Sequence, residues 1–258
     1  MRKVLKQMLI TQEQKDLVKN LLEKISFPDE FGPTEYDDYY DDELIDTLND
    51  NSDVTFEAAS GASKYVLLSN SLPFVIKVPF NGYWARKDDY DEEENECDDD
   101  DDYRFVEFYG ANTSKFYNGI HENNDYCATE AAIYERMCEM GYEKFFAKTS
   151  FLCTNSHKRI FIQERVTPYL RTENDVFKSI HTSKEANDLA GRIRIPFSAV
   201  WIEAAIRFYG LKLTLDFMNF LTSDDNVARI IIEDLHHNNY GYRKNGEPCI
   251  LDYSGYNI

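Results

Sequence analysis

Apolar residues near the start of the chain fall at helical spacing. Leu17, Val18, Leu21 and Leu22 share one face of a helix expected over 12–25. Thr11, with Gln14 three residues on, supplies a capping box for it, and a shorter helix is expected over 3–9. Residues 26–42 hold two prolines, a glycine and a run of acids and tyrosines, so they read as a loop, followed by a short helix over 43–50. Alternating and β-branched runs then predict strands at 53–59, 64–69 and 73–79, with Gly61 and Asn70-Ser71 in the turns. A helix over 128–141 closes on Gly141, and strand character returns in FFAKTSFLC and in RIFIQERV, 159–166. Helices are expected around 172–190, 196–209 and 211–222. The last stretch reads as strands at 229–233, 240–243 and 248–252, with KNGE as a hairpin turn. Strands dominate first and helices later, which is an α+β pattern with two lobes.

Composition narrows the class. The 258 residues are 43% hydrophobic and 14% aromatic, enough for a sizeable core and against global disorder. No apolar run reaches membrane-spanning length, and the N-terminus is too polar for a secretory signal. The five cysteines (97, 127, 138, 153 and 249) form no CxxC pair, which points to a reducing compartment, the cytoplasm, and to no zinc site. The net charge is −19, and residues 88–102 carry 12 acids and no base; without them it is −7. So acidic a chain is not expected to bind nucleic acid. The acidic run reads as a solvated loop, a docking site for a basic partner, or a mimic of nucleic-acid charge.

Three places along the chain bear on chemistry. The first is AASGASKYVLLSNSLPFVIKV. A turn of small residues between two strands lets backbone N–H groups approach an anion, and Lys77 then emerges from a β-branched run. Lys77 either meets a buried partner or snorkels to water from a strand edge. The second is Glu130, which shares the apolar helix face of Ile133, Tyr134 and Met137, while Glu135 points away. An inward glutamate calls for a cation such as Lys77; a helix-start acid favoured by the dipole is the other reading. The third is the closing stretch, where Asp234, Asn239 and Asp252 are oxygen donors of the kind that hold magnesium together with phosphates. Polar turns favour the same residue types. His236 and His237 are adjacent on a loop and make a poor transition-metal pair.

In this order the three places resemble the protein-kinase-like fold, over residues 53–258. The glycine loop reads Ala59-Ser60-Gly61-Ala62-Ser63-Lys64-Tyr65-Val66, keeping only the central glycine. The lysine strand reads Phe74-Val75-Ile76-Lys77, and the helix around Glu130 is similar to the one that supplies the paired glutamate. Asp234 to Asn239 keeps the catalytic-loop spacing, and Asp252-Tyr253-Ser254 stands for Asp-Phe-Gly. The histidine and arginine before the catalytic aspartate are absent. His236 two residues after it is similar instead to aminoglycoside and choline kinases and to phage-encoded kinases. The sequence ends soon after Asp252, so the resemblance implies a truncated helical large lobe at 167–258. It also implies a β-rich small lobe at 51–166 with an acidic insert at 81–120, and an N-terminal helical extension at 1–50.

The resemblance implies an ATP-dependent kinase acting on an alcohol group, with ATP and magnesium as cofactors. Asp234 would orient the acceptor hydroxyl, Lys77 would hold the α- and β-phosphates steadied by Glu130, and His236 would reach the γ-phosphate or substrate. Asn239 and Asp252 would bind magnesium. Backbone from Ala59 to Lys64, with Ser60, Gly61, Ala62 and Ser63 between them, would cover the phosphates, and Val66 and Val75 would flank the adenine. Backbone at 163–166, including Glu164 and Val166, would meet its edge. So few glycines imply weaker nucleotide binding. A serine/threonine-type protein substrate, basic enough for the acidic run to steer it, is the expected partner. The alternative is a pseudokinase, a kinase-shaped binding or inhibitor module with the acidic run as its docking or charge-mimic element.

Overall fold

The computed structural model describes residues 11–34, 41–61, 63–86, 103–107, 125–155, 157–169, 181–192, 197–233, 235–236 and 238–254. The helix expected over 3–9, the first part of the one around 172–190 and the acidic run 88–102 lie outside them. The chain divides into two units, one of Met1–Gly110, Glu122–Cys127 and Ser150–Gln163, the other of Ala111–His121, Ala128–Thr149 and Glu164–Ile258. Mixed α+β structure is present, as the sequence pattern implied.

In the first unit, α1 (Gln12–Leu22) starts as expected. The Thr11 hydroxyl accepts the Gln14 N–H at 3.2 Å and the Gln14 side chain accepts the Thr11 N–H at 3.0 Å. Val18, Leu21 and Leu22 are buried, but Leu17 remains 41% exposed, so the apolar stripe is wider than the surface that covers it. Helix α2 (Asp42–Asp50) is capped by Asp41, whose carboxylate accepts the Leu44 N–H at 2.9 Å. Strand β1 (Glu57–Ser60) begins later than 53. The Asn49 side chain takes the Phe56 N–H at 2.7 Å and donates to its carbonyl at 3.3 Å, so the preceding residues join the helix rather than a ladder.

Strands β2 (Lys64–Leu68), β3 (Phe74–Pro79), β6 (Thr149–Asn155) and β7 (Lys158–Glu164) complete a sheet in the order β1-β2-β3-β7-β6. One face carries Tyr65, Leu67, Phe74, Ile76, Val78, Ile160 and Ile162 into a core shared with α1 and α2. The segment between those helices also belongs to it. Phe31 exchanges hydrogen bonds with Asn81 at 2.9 and 3.0 Å, and the Trp84 N–H reaches the Pro33 carbonyl at 2.8 Å. Asn81 also donates from its side chain to the Asp29 carbonyl. Gly32 passes against Gly82 so closely that a Cβ there would lie 1.9 Å from the Gly82 carbonyl oxygen. Strands β4 (Gly82–Arg86) and β5 (Tyr103–Glu107) form an antiparallel ribbon, with the Trp84 and Phe105 rings 5.2 Å apart. Sequence reading treated this region as an insert without strands; its two arms are 16 residues apart and flank a charged run that masks their pairing.

The second unit takes most of α3 (Tyr126–Met140), which ends at Gly141 with φ 79°, then α4 (Lys184–Arg192), α5 (Ala199–Tyr209) and α6 (Leu211–Leu221). Its core is strongly aromatic. Trp201 stacks on Phe197 and Phe145 on Phe217, each at 4.0 Å between centroids. The strand expected at 229–233 is instead helix α7 (Asn226–Glu233). Asp225 caps it through the Val227 N–H at 2.8 Å, and Val227, Ile230 and Ile231 fall on one buried helical face. Strand β8 (Thr167–Pro168) pairs with β9 (Tyr240–Tyr242), which pairs with β10 (Pro248–Ile250) through a turn with Gly246 at φ 84°. Gly241 lets β8 approach, since a Cβ there would sit 2.0 Å from the Thr167 carbonyl oxygen. No helix among the described residues is long and apolar enough to cross a membrane.

Candidate functional site

Within the first unit, the hairpin and β3 position the phosphate-loop candidates and Lys77. The register pairs Ala59 with Val66 and Val66 with Lys77. Their strand neighbours Tyr65, Ile76 and Val78 enter the core, so Ala59, Val66, Val75 and Lys77 share the opposite face of the sheet. Lys77 is buried there, at 4% exposure. The turn is held at both ends. The Gly61 N–H reaches the Lys64 carbonyl at 3.2 Å, and the Phe80 N–H reaches the Ser63 carbonyl at 3.1 Å. The Ser60 hydroxyl is buried without a hydrogen-bond partner among the described residues. Ala62 lies outside them.

The second unit holds the other candidates. Glu130 is fully buried in α3 together with Ile133, Tyr134 and Met137, and Glu135 is exposed, as the helical spacing required. Asp234 and His237 lie outside the described residues. Around them, the loop after α7 is tightly bonded. The Leu235 N–H reaches the Ile232 carbonyl at 3.2 Å, and the His236 carbonyl accepts the Asn239 N–H at 2.9 Å. His236 Nδ1 accepts the Asn238 N–H at 3.2 Å, so the proton of a neutral ring sits on Nε2.

Asn239 and Asp252 meet directly. The Asn239 carbonyl accepts the Leu251 N–H at 2.8 Å and the Asp252 N–H at 3.3 Å, joining the end of the loop to the exit of β10. Asn239 is buried and Asp252 half-buried. The next residue anchors this exit. The buried Tyr253 hydroxyl donates to the Ala147 carbonyl at 2.7 Å and lies 2.8 Å from the Thr149 hydroxyl, and its ring packs on Phe146 at 5.0 Å. The side chains at these two positions, an amide and a carboxylate, are hard oxygen donors, a type that suits magnesium better than a softer metal. Among the described residues no group of three or more His, Cys, Asp or Glu is arranged to hold a metal, and the four cysteines are free.

Glu164 has a structural partner that the sequence did not announce. Arg243 Nε donates to its carboxylate at 2.8 Å, and the same guanidinium reaches the Phe146 carbonyl at 2.8 Å and the Lys144 carbonyl at 3.0 Å. Burial works against the Arg243 charge, but its anionic surroundings outweigh burial and hold its pKa above the ordinary value. Glu164 is the partner that matters, because burial pushes the neighbouring Cys249 thiol up to about 12 and leaves it neutral. The Glu164 N–H is taken by the Lys148 carbonyl at 2.9 Å, so its backbone offers an adenine only an acceptor. Val166 follows half-buried between β7 and β8. The chain matches no known family model, no characterised protein and no solved structure at a significant level.

Proposed function

We propose that the protein is an ATP-dependent phosphotransferase with a two-lobed, protein-kinase-like arrangement, using magnesium and acting on an alcohol group. The observation that carries the reading is the backbone union of Asn239 with Asp252, which joins the proposed metal ligands of two separate motifs. The order of elements supports it too. A small-residue turn precedes a third strand bearing a buried lysine, and a helix bearing a buried glutamate comes later, as in kinases. Val66 and Val75 share the Lys77 face, where an adenine needs apolar cover. Magnesium, held by Asn239 and Asp252, would neutralise charge on the transferred phosphoryl group. Asp234 orients the acceptor hydroxyl, and His236 meets the γ-phosphate or the acceptor from Nε2. The acidic run between β4 and β5 suits a basic protein substrate, and the free cysteines suit a reducing cytoplasm.

Transfer of labelled γ-phosphate to proteins of a cell lysate tests this, with Asp234→Ala and Asn239→Ala as controls. Transfer by the wild type that both variants lose supports the enzyme. The rival binding-module reading draws on a turn that keeps one glycine of the kinase pattern. It requires no transfer, with or without a rise in melting temperature on adding ATP and magnesium.

A further inference from the structure

Tyr253 follows Asp252 and is fully buried. Its ring packs edge-on against Phe146. A phenylalanine would fill the same place, so packing alone does not call for the hydroxyl. Burying a hydroxyl costs free energy unless it is bonded. This one is bonded twice. It donates its proton to the Ala147 carbonyl at 2.7 Å, and accepts from the Thr149 hydroxyl 2.8 Å away. Thr149 is buried too, and hydrogen bonds linked in series away from water strengthen one another. The same short segment holds the chain ahead of Asp252. The Ala147 N–H donates to the Ile250 carbonyl at 2.7 Å, and Phe146 bridges to Ile250. The Asn239 carbonyl takes the N–H groups of Leu251 and Asp252. These ties lie on the backbone, and Tyr253 adds one through its side chain.

We propose that Tyr253 is a positioning residue for the metal: its hydroxyl, tied to Ala147 and Thr149, fixes where Asp252 stands. This rests on the reading of Asp252 as a magnesium ligand in a phosphotransferase. A ligand set has to be held within about 0.5 Å of its productive geometry. Apolar ring contact has no preferred direction and tolerates sliding, whereas hydrogen bonds fix both distance and angle. Neighbouring Cα atoms stay about 3.8 Å apart, so a shift of Tyr253 carries Asp252 with it. Without the phenol oxygen, the Thr149 hydroxyl can turn to the Ala147 carbonyl, from which it lies 3.4 Å away. The fold then loses little, while Asp252 loses its fixed point.

Manganese binding to the full-length protein, followed by electron paramagnetic resonance with a non-hydrolysable ATP analogue present, tests this without turnover. Tyr253→Phe and Thr149→Val are compared with wild type, each checked by its melting curve. Tyr253→Phe should lower the melting temperature by about 2–4 °C and weaken manganese about tenfold. Thr149→Val should weaken manganese about threefold, because Tyr253 keeps Ala147, and should weaken it no further when added to Tyr253→Phe. In the transfer assay, the magnesium needed for half the maximal rate should rise by the same factor in Tyr253→Phe, and saturating magnesium should restore the rate. A hydroxyl that served stability alone would lower the rate at every magnesium concentration and leave the half-point in place. Manganese affinity in Tyr253→Phe equal to wild type overturns the proposal, while transfer by the wild type keeps the phosphotransferase reading. Weakened manganese binding in Tyr253→Phe, with no transfer by the wild type, keeps the positioning role and removes the enzyme. No manganese binding by the wild type overturns both. Should Tyr253→Phe fail to fold, Thr149→Val decides: weakened manganese supports the proposal and wild-type affinity overturns it.

Discussion

Gly61 sits in the turn between β1 and β2 outside the left-handed region, and a Cβ built on it meets nothing within 4 Å. Gly61→Ala should therefore fold with an unchanged melting temperature, so any change in nucleotide affinity reports close approach of phosphate to this turn. A loss of about threefold to tenfold is expected by calorimetry, since one methyl group at a phosphate contact displaces rather than abolishes it. Affinity equal to wild type would move the phosphates away from Gly61. Lys158 carries a different test. Its ammonium lies 5.3 Å above the Phe31 ring. Burial pushes its pKa down from 10.5 to about 8, against the opposing pull of Asp29 and Asp125. Between those values the unfolded chain holds more protons, so this group makes stability rise with pH across the window. Below about 8 both states are charged and the burial penalty is present in full; above 10.5 it has gone. Lys158→Met should then stabilise the protein at pH 7 by about 1 kcal/mol, after allowance for the partial exposure of the amine. Denaturant titrations at pH 7 and pH 10 should find the advantage shrinking with pH. An advantage that grows would mean the ring and the two carboxylates outweigh burial.

Helix α7 is where local pattern and structure part. Ile230, Ile231 and Ile232 read as a strand because β-branched runs favour one, yet the segment is capped and its buried positions have helical spacing. The cap was visible in the sequence as Asp225, and reading it with Val227, Ile230 and Ile231 would have found the helix. The Thr11–Gln14 box was legible for the same reason: both groups lie within one turn, so no distant contact decides the outcome. Asp225 accepts the Val227 N–H at 2.8 Å and the Ala228 N–H at 3.4 Å. Asp225→Ala should cost about 1 kcal/mol, and Asp225→Ser should recover most of it. Because α7 leads straight into the loop of His236 and Asn239, phosphotransfer should fall further than the loss of stability alone explains. Equal stability of Asp225→Ala and wild type in denaturant would show that tertiary packing alone fixes this helix.

At the scale of the whole molecule, the α+β class and the order of the candidate motifs were legible, because each motif is short and carries its own spacing. The role of the first 50 residues was not, because it rests on contacts between distant positions that leave no periodic trace. Phe31 bonds to Asn81, and the Asn155 side chain reaches the Leu22 and Ile25 carbonyls. Of the nineteen described residues in the first unit's core cluster, eight come from this segment: Val18, Leu21, Leu22, Ile25, Phe27, Phe31, Leu44 and Leu48. Each buried side chain of this size contributes roughly 1.5–3 kcal/mol. Together they contribute about 12–24 kcal/mol, as much as or more than the ~5–15 kcal/mol of net stability that a domain commands. A chain lacking residues 1–50 should therefore lose the sheet that carries Lys64 and Lys77, and all nucleotide binding with it. The second unit has its own core around Trp201, Phe217 and Tyr240, made, among the described residues, of side chains from outside that segment. Hydrogen exchange read by mass spectrometry should find β1, β2 and β3 exchanging at unfolded rates in the shortened chain, while α5 and α6 keep their protection. Retained protection across β3 would mean that the sheet holds its face dry without α1 and α2, and the N-terminal segment would then be an attachment to that core.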